Sequence, residues 1–471
     1  MNIVYIPYKS AAVSFFFLIF ARYKYRRLEK VMKKICSAIV LMAMTMTASA
    51  QSGTNSPYSY YGLGVLADQS GGFNRGMNGL AQGFRDGTQV NFLNPASYSA
   101  TDSLSLIFDV GMSGQITNYS ENGVKKNAKN ADFEYAIAAF RMARRLGMSF
   151  GVLPLTNVGY NYASIEPLNA DNSTYYQNTY SGSGGFHQVY LGAGWEPIRG
   201  FSLGANVGYV WGDITRSIQN AYYTMSSGSL SQNTAINTLT KEYSMTANSL
   251  RMNFGVQYRQ ALGKKDVVTI GASYSPSHSL GADPKCVVTS TNSSTGVVNP
   301  TTYTIEDGLK MPNIISAGFV LQHNNQLKVG ADYSLMQWSG VSYPEYKVVN
   351  DVPSYVLNKD YFMDRHQVTV GGEYCKGPYM RGFLNRVRYR VGASYATPYY
   401  KVNGADGPKE FSVSAGFGIP ILNVWNDRSM LNISGQWSRR SADKGLLVEN
   451  TFRINIGITF NERWFAKWKV R

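Results

Sequence analysis

The sequence predicts an all-β fold, a transmembrane antiparallel β-barrel of about fourteen strands. Three observations carry that prediction. Apolar and polar residues alternate with period two over long runs, the runs are even in number, and long connections alternate with very short ones. Composition agrees. Charged residues make up 16% of the 471, well below the ~25% of soluble domains. Aromatics are abundant, with 34 Tyr, 22 Phe and 7 Trp, and Gly reaches 46.

Two segments precede the barrel. Residues 32–51, "MKKICSAIVLMAMTMTASAQ", place Lys33 and Lys34 before an apolar run and small residues before Gln51. That order is a secretory signal peptide (32–50) cut after Ala50. Residues 1–31 are expected to be an over-extended start, with Met32 as initiator. An unusually long signal is the other reading. Their apolar stretch "AAVSFFFLIFA" falls short of the ~20 residues a helical span needs. The net charge of +16 includes +7 from residues 1–50, so the mature chain carries +9. A basic balance can mean nucleic acid, but export argues against that partner.

Residues 51–102 are rich in Gly, Asn, Ser and Tyr and hold no steady period. From residue 103 alternation takes over. "FSLGANVGYVWG" sets Phe201, Leu203, Ala205, Val207, Tyr209 and Trp211 against Ser202, Gly204, Asn206, Gly208 and Val210. "FRINIGITFN" sets Phe452, Ile454, Ile456, Ile458 and Phe460 against Arg453, Asn455, Gly457 and Thr459. Period two with one apolar face is the strand signal. The runs start near residues 103, 132, 146, 185, 200, 244, 265, 311, 326, 364, 385, 408, 428 and 450. An even count and ~10-residue or longer strands suit an outer-membrane barrel.

The odd-numbered early connections are expected to be long loops, among them 163–184, 214–243 and 279–310. The even ones are the short turns "ARR", "EPIRG", "GKKD" and "NN". Long extracellular loops alternating with short periplasmic turns are the outer-membrane pattern. The apolar face meets lipid, because unpaired polar groups in hydrocarbon are costly. The lumen face is rich in glycine, including Gly194, Gly204, Gly255 and Gly271. Either these make room for material filling the lumen, or they ease curvature of the sheet.

"GVLPLTNVGY" (151–160) puts a proline inside the third strand. Proline cannot donate to a ladder, so Pro154 marks an edge, a bulge or a break. "NRVRYRVG" places Arg386, Arg388 and Arg390 on the lumen face. They read as an anion site, since the guanidinium fork matches carboxylates. Alternatively they pair structurally with Glu373 and acids such as Asp68, Asp86 or Asp102. Lys328 and Asp332 share one lumen face and are expected to pair. Cys286 and Cys375 are expected to be unpaired, one outside and one at the periplasmic end of its strand, farther apart than the ~7 Å a disulfide allows. Neither metal-ligand spacing nor a catalytic set is present, so no cofactor and no enzyme activity are expected.

The stretch "RGMNGLAQGFRDGTQVNFLNPASYSA" (75–100), "MPNIISAGFVLQHNNQLKVGADYSLMQWS" (311–339) and "VGASYATPYY" together resemble the FadL-type family of outer-membrane transporters for long-chain fatty acids and aromatic hydrocarbons. The "NPA" of Asn94, Pro95 and Ala96 looks like that family's plug-to-barrel motif. The resemblance implies a fourteen-stranded barrel over 103–460, an N-terminal hatch over 51–102 in its lumen, and lateral exit of ligand where the third strand kinks. Gly151 and Pro154 would form that gate, Gly151 lending flexibility. An ordinary bulge is the plainer reading. Residues 461–471, "NERWFAKWKVR" from Asn461, depart from the family in extending past Phe460. They read as an amphipathic tail at the periplasmic interface, or as a contact for an assembly partner.

The expected function is passive transport of small hydrophobic molecules across the outer membrane by a monomeric barrel, its Tyr-rich loops such as 172–182 capturing ligand. Its expected partners are that ligand, outer-membrane lipid and the barrel-assembly machinery. A shuttle or interaction protein of type IX secretion is the alternative of a different class, and a general porin a third. An apolar pocket near the hatch would favour the transporter.

Overall fold

The computed structural model describes residues 53–103, 105–168, 174–226, 229–421, 429–442 and 447–463. The start at 1–31, the signal peptide and residues 464–471 of the tail lie outside the described residues. Fourteen strands form a closed antiparallel barrel. They are β1 (Ser105–Glu121), β2 (Val124–Ala143), β3 (Leu146–Pro154 and Thr156–Pro167), β4 (Thr174–Ile198), β5 (Phe201–Ser226), β6 (Thr238–Ala261) and β7 (Asp266–Ser275). Then follow β8 (Ile314–His323), β9 (Leu327–Met336), β10 (Arg365–Tyr374), β11 (Arg388–Ala396), β12 (Lys409–Ile421), β13 (Ser429–Ser441) and β14 (Val448–Arg463). Each strand pairs with the next, and β14 returns to β1 from Ser105↔Arg463 to Ser120↔Val448. That closure joins the two ends of the sheet, as lipid requires.

Burial is inverted relative to a soluble protein. Leu203, Val207, Phe319, Val370, Phe417 and Ile454 are exposed, whereas Ser202, Asn206, Gln257, Thr369, Asn432 and Asn455 are buried. The period-two pattern therefore points its apolar side at lipid and its polar side at the lumen.

The first connection corrects the sequence expectation of a long loop. It is a tight turn at Asn122 and Gly123, with φ of 46° and 83°. Asn-Gly with both residues left-handed is the favoured two-residue hairpin. The other expected loops are also largely strand. β5 has 26 residues, a contour of roughly 88 Å, far more than a ~25 Å apolar band needs at a ~40° tilt. Between β7 and β8 a hairpin of Lys285–Thr291 and Val298–Thr304 lies along the outer end of β6. Outside the hydrocarbon both faces of these strands are wet, so the apolar alternation disappears while the pairing persists.

Residues 53–103 lie inside the barrel. They form two short 3-10 turns (Pro57–Tyr60 and Pro95–Ala100), a single helical turn (Gly72–Arg75) and a two-residue strand (Val65–Leu66). Hydrogen bonds tie this hatch to the wall on many sides, including Arg75 to Asn455, Asn78 to Ser394, Ala81 to Asp332 and Ser56 to Glu449.

Candidate functional site: the β2–β3 seam and the lumen

β3 changes partner at the proline. Its first segment pairs with β2 as far as Val152↔Ala136, and on its other side with β4 as far as Pro154↔His187. Beyond Val152 no β3 residue pairs with β2, although β2 continues outward from Tyr135 to Val124, paired to β1 alone. The second segment of β3 stays on β4 from Val158↔Gly184 to Pro167↔Tyr175. Its inner side takes the hatch strand instead, with Val65↔Asn157 and Leu66↔Thr156.

The alternation of an antiparallel ladder explains the position. Leu155 N donates to Phe186 O of β4 at 2.7 Å. Residue 154 therefore faces β2, the side where its missing donor breaks the ladder. The Pro154 carbonyl accepts from Gln69 Nε2 of the hatch at 3.3 Å, and Leu155 O accepts from Ala67 N at 3.0 Å. The hatch thus takes over the Pro154 carbonyl, which the β2 ladder no longer serves, and the Leu155 carbonyl, which β4 leaves free because Phe186 N donates to Thr156 Oγ1 instead.

Gly151 lies where β2 comes close. A Cβ there would lie 2.5 Å from Ala136 O and 2.8 Å from Ile137 Cα. Glycine is required because β2 approaches closely, one pair below the break.

The NPA motif is an anchor. Asn94 Nδ2 donates to Gln82 O at 3.0 Å, Val256 O at 3.2 Å and Ala272 O at 3.3 Å, while its Oδ1 accepts from Ala96 N at 3.2 Å. One side chain so ties the hatch to β6 and β7. Pro95 begins the following 3-10 turn, where its missing N–H costs nothing. A Cβ at Gly194, Gly204 or Gly255 would collide with Asn94, Pro95 or Ala96, and one at Gly271 with Gln82. At Gly208 and Gly330 the near atoms belong to neighbouring strands instead. Lumen glycines thus make room for the hatch at some positions and for neighbouring strands at others.

The arginines form a charge ladder low in the lumen. Register sets Glu373 opposite Lys328 on one side and Arg390 on the other. Glu373 accepts from Arg390 at 2.7 Å, and from Lys328 and Arg388 at 3.2 Å each. Asp86 of the hatch accepts from Arg388 at 2.8 Å and Lys328 at 3.1 Å. Burial works to raise the Asp86 carboxyl, but Lys328 and Arg388 hold it well below the usual carboxylate range. Arg390 also reaches Asn432 at 2.6 Å. Arg386 shares none of these contacts; it sits in the turn before β11.

The expected Lys328–Asp332 pair does not form. Four strand residues span roughly 13 Å, and Asp332 instead accepts from Ala81 N at 2.6 Å and Gln82 N at 2.9 Å. Sequence reasoning also missed the tie of Arg75 to Glu134 at 3.0 Å. Its signal was available: Glu134 sits on the polar face of "DFEYAIAAF", a stretch that contains no basic residue.

Between hatch and outer loops lies a cavity of about 260 Å³ lined largely by polar side chains, among them Gln115, Arg251, Ser316, Thr369, Glu410 and Arg440. Above it an apolar and aromatic cluster joins Leu63 of the hatch to Phe186, Ile214, Trp338, Tyr343 and Tyr399. Buried Arg216 crosses this cluster, donating to Tyr343 Oη and, at 2.7 Å, to Gly62 O. Cys286 and Cys375 are buried and form no disulfide.

The fold matches solved outer-membrane channels. The Pseudomonas putida toluene transporter TodX is 14% identical with a TM-score of 0.57, over 85% of this chain and 100% of that one. The Ralstonia pickettii toluene transporter TbuX is 16% identical with a TM-score of 0.53, over 84% and 99%. A Pseudomonas aeruginosa FadL homologue is 12% identical with a TM-score of 0.55, over 85% and 99%. No curated protein sequence matches the chain. The architecture is therefore that of the FadL-type outer-membrane barrel. A family model described as BamG matches residues 31–471, and the chain belongs to the BamG family.

Proposed function

We propose that this barrel acts through its surfaces, as a partner of the machinery that assembles outer-membrane barrels. The state of the lumen carries the reading. The hatch occupies its inner part, an aromatic cluster occupies its outer part, and the space between is polar and about 260 Å³. Sites for drug-sized ligands are mostly apolar and run from ~300 Å³ upward. The family label points the same way. A holding role in type IX secretion belongs to the same class. A general porin needs an aqueous channel, which suits this filled lumen poorly.

Passive transport of hydrophobic molecules is the second reading. The loss of β2–β3 pairing beyond Val152 favours it, as do the toluene-transporter names of its fold neighbours. Ligand would enter past the Tyr-rich loops and leave sideways at Gly151 and Pro154. On this reading the charge ladder at Asp86, Lys328, Glu373, Arg388 and Arg390 is structural, and the barrel works as a monomer.

Depletion of the chain in its native host separates the two. The assembly reading expects many other outer-membrane barrels to fall in abundance within a few generations. Normal barrel levels together with loss of hydrocarbon or fatty-acid uptake would establish transport instead.

A further inference from the structure

We infer that the lumen holds an oxyanion site at Arg251 of β6, beside His278. Arg251 lines the polar cavity and is 9% exposed. Its Nη1 donates to Gln188 Oε1 at 3.2 Å and Gln69 Oε1 at 3.3 Å. Its Nε is buried without a partner, and Nη2 donates to no described residue. Nε and Nη2 are the side-on edge of the guanidinium, the fork that takes two oxygens of one carboxylate.

No acid among the described residues lies within ion-pair distance of Arg251. By contrast Arg75, Arg85, Arg365, Arg388, Arg390 and Arg440 each pair with one. Arg216 also lacks an acid, but both its terminal nitrogens are taken by Tyr343 and Gly62. A second unsatisfied atom lies nearby. Asn248 N donates to Leu280 O at 2.9 Å, and Ser275 Oγ donates to Met252 O at 2.7 Å. Those bonds lay residues 275–280 along β6 and bring His278 next to Arg251. His278 Nε2 is buried with no partner, while Nδ1 lies 3.3 Å from Pro276 O.

A buried cation without a counter-charge is costly to a fold. An unpartnered guanidinium edge beside a polar cavity therefore points to a ligand that supplies the missing charge. The ligand is a carboxylate or similar oxyanion, either free or as the headgroup of an amphiphile. At ~30 Å³ per water, the cavity has room for such a group and several waters.

The test uses residues 51–471 refolded in detergent, in chloride buffer at constant ionic strength. Thermal unfolding midpoints are followed against acetate, octanoate and sulfate. Binding to the folded state raises the midpoint with ligand concentration. Wild type is expected to respond to acetate. Arg251→Gln is expected to need at least tenfold more, while its ligand-free midpoint stays level or rises. Arg251→Lys keeps the charge, loses the fork and should fall between. Equal responses to acetate and octanoate assign a free anion, and a stronger octanoate response assigns a headgroup. An undiminished response in Arg251→Gln overturns the site, as does a wild type unmoved by all three anions. Should Arg251→Gln not fold, an undiminished response in Arg251→Lys overturns it equally.

Discussion

Glu373→Gln probes the lumen's charge balance most severely. In the wild type three cations, Lys328, Arg388 and Arg390, face two acids, Asp86 and Glu373. Glu373 accepts from all three, and it and Arg390 are only 3% and 2% exposed. The amide keeps the shape and one acceptor but removes the charge, leaving Asp86 alone against three cations. Breaking a buried pair costs about 3–5 kcal/mol, because the remaining charge stays desolvated. We expect a loss in that range, read by urea titration of the barrel refolded in detergent. Pairing Glu373→Met with Arg390→Met should cost clearly less than the two single changes summed, since the charges leave together. Acid acts on the same cluster through Asp86. Its carboxyl is held below the usual range, so its contribution is intact above its unfolded value of about 3.9 and is lost as pH falls below that. A loss under about 1 kcal/mol for Glu373→Gln, or additive costs in the pair, would refute the view that this ladder holds hatch to wall.

Gly151→Ala should destabilise by about 1–3 kcal/mol, since its Cβ meets backbone of β2 that cannot retreat. Pro154→Leu should change stability by no more than about 1 kcal/mol, the worth of one ladder bond, and a larger gain would mean the β2–β3 seam can close. Gly204→Val should leave the barrel assembled but unseat the Asn94–Ala96 segment, so limited proteolysis should cut within residues 53–103; protection equal to wild type would contradict the close fit read at that glycine. Cys286 and Cys375 are buried and free, and both should react with a maleimide only after denaturation; a 286–375 bridge on peptide mapping would contradict the strand assignment.

The barrel itself was legible because lipid imposes one rule on every strand. The alternation through residues 201–212 and 452–461 needed no tertiary information. The outer extensions were not legible, because above the hydrocarbon Tyr, Thr and Ser occupy both faces and period two loses its contrast. Asn122-Gly123 was a readable hairpin signal, hidden by the lysines around it. Pro154 announced a break, but which partner strand was lost depends on the alternation of ladder bonds, visible only with the neighbours in place. The charge ladder was half legible. Glu373 and the arginines were evident from strand faces, whereas the choice of Asp86 over Asp68 or Asp102 depends on how the hatch folds. Arg251 left no sequence signal, since a lone arginine on a lumen face reads like any paired one.

Conductance of the refolded mature barrel in a planar lipid bilayer tests the filled lumen most directly. No steady ohmic current is expected, because hatch and aromatic cluster occupy both ends of a small polar cavity. A stable open-channel conductance in unmodified protein would contradict it and return the chain to the class of conduits.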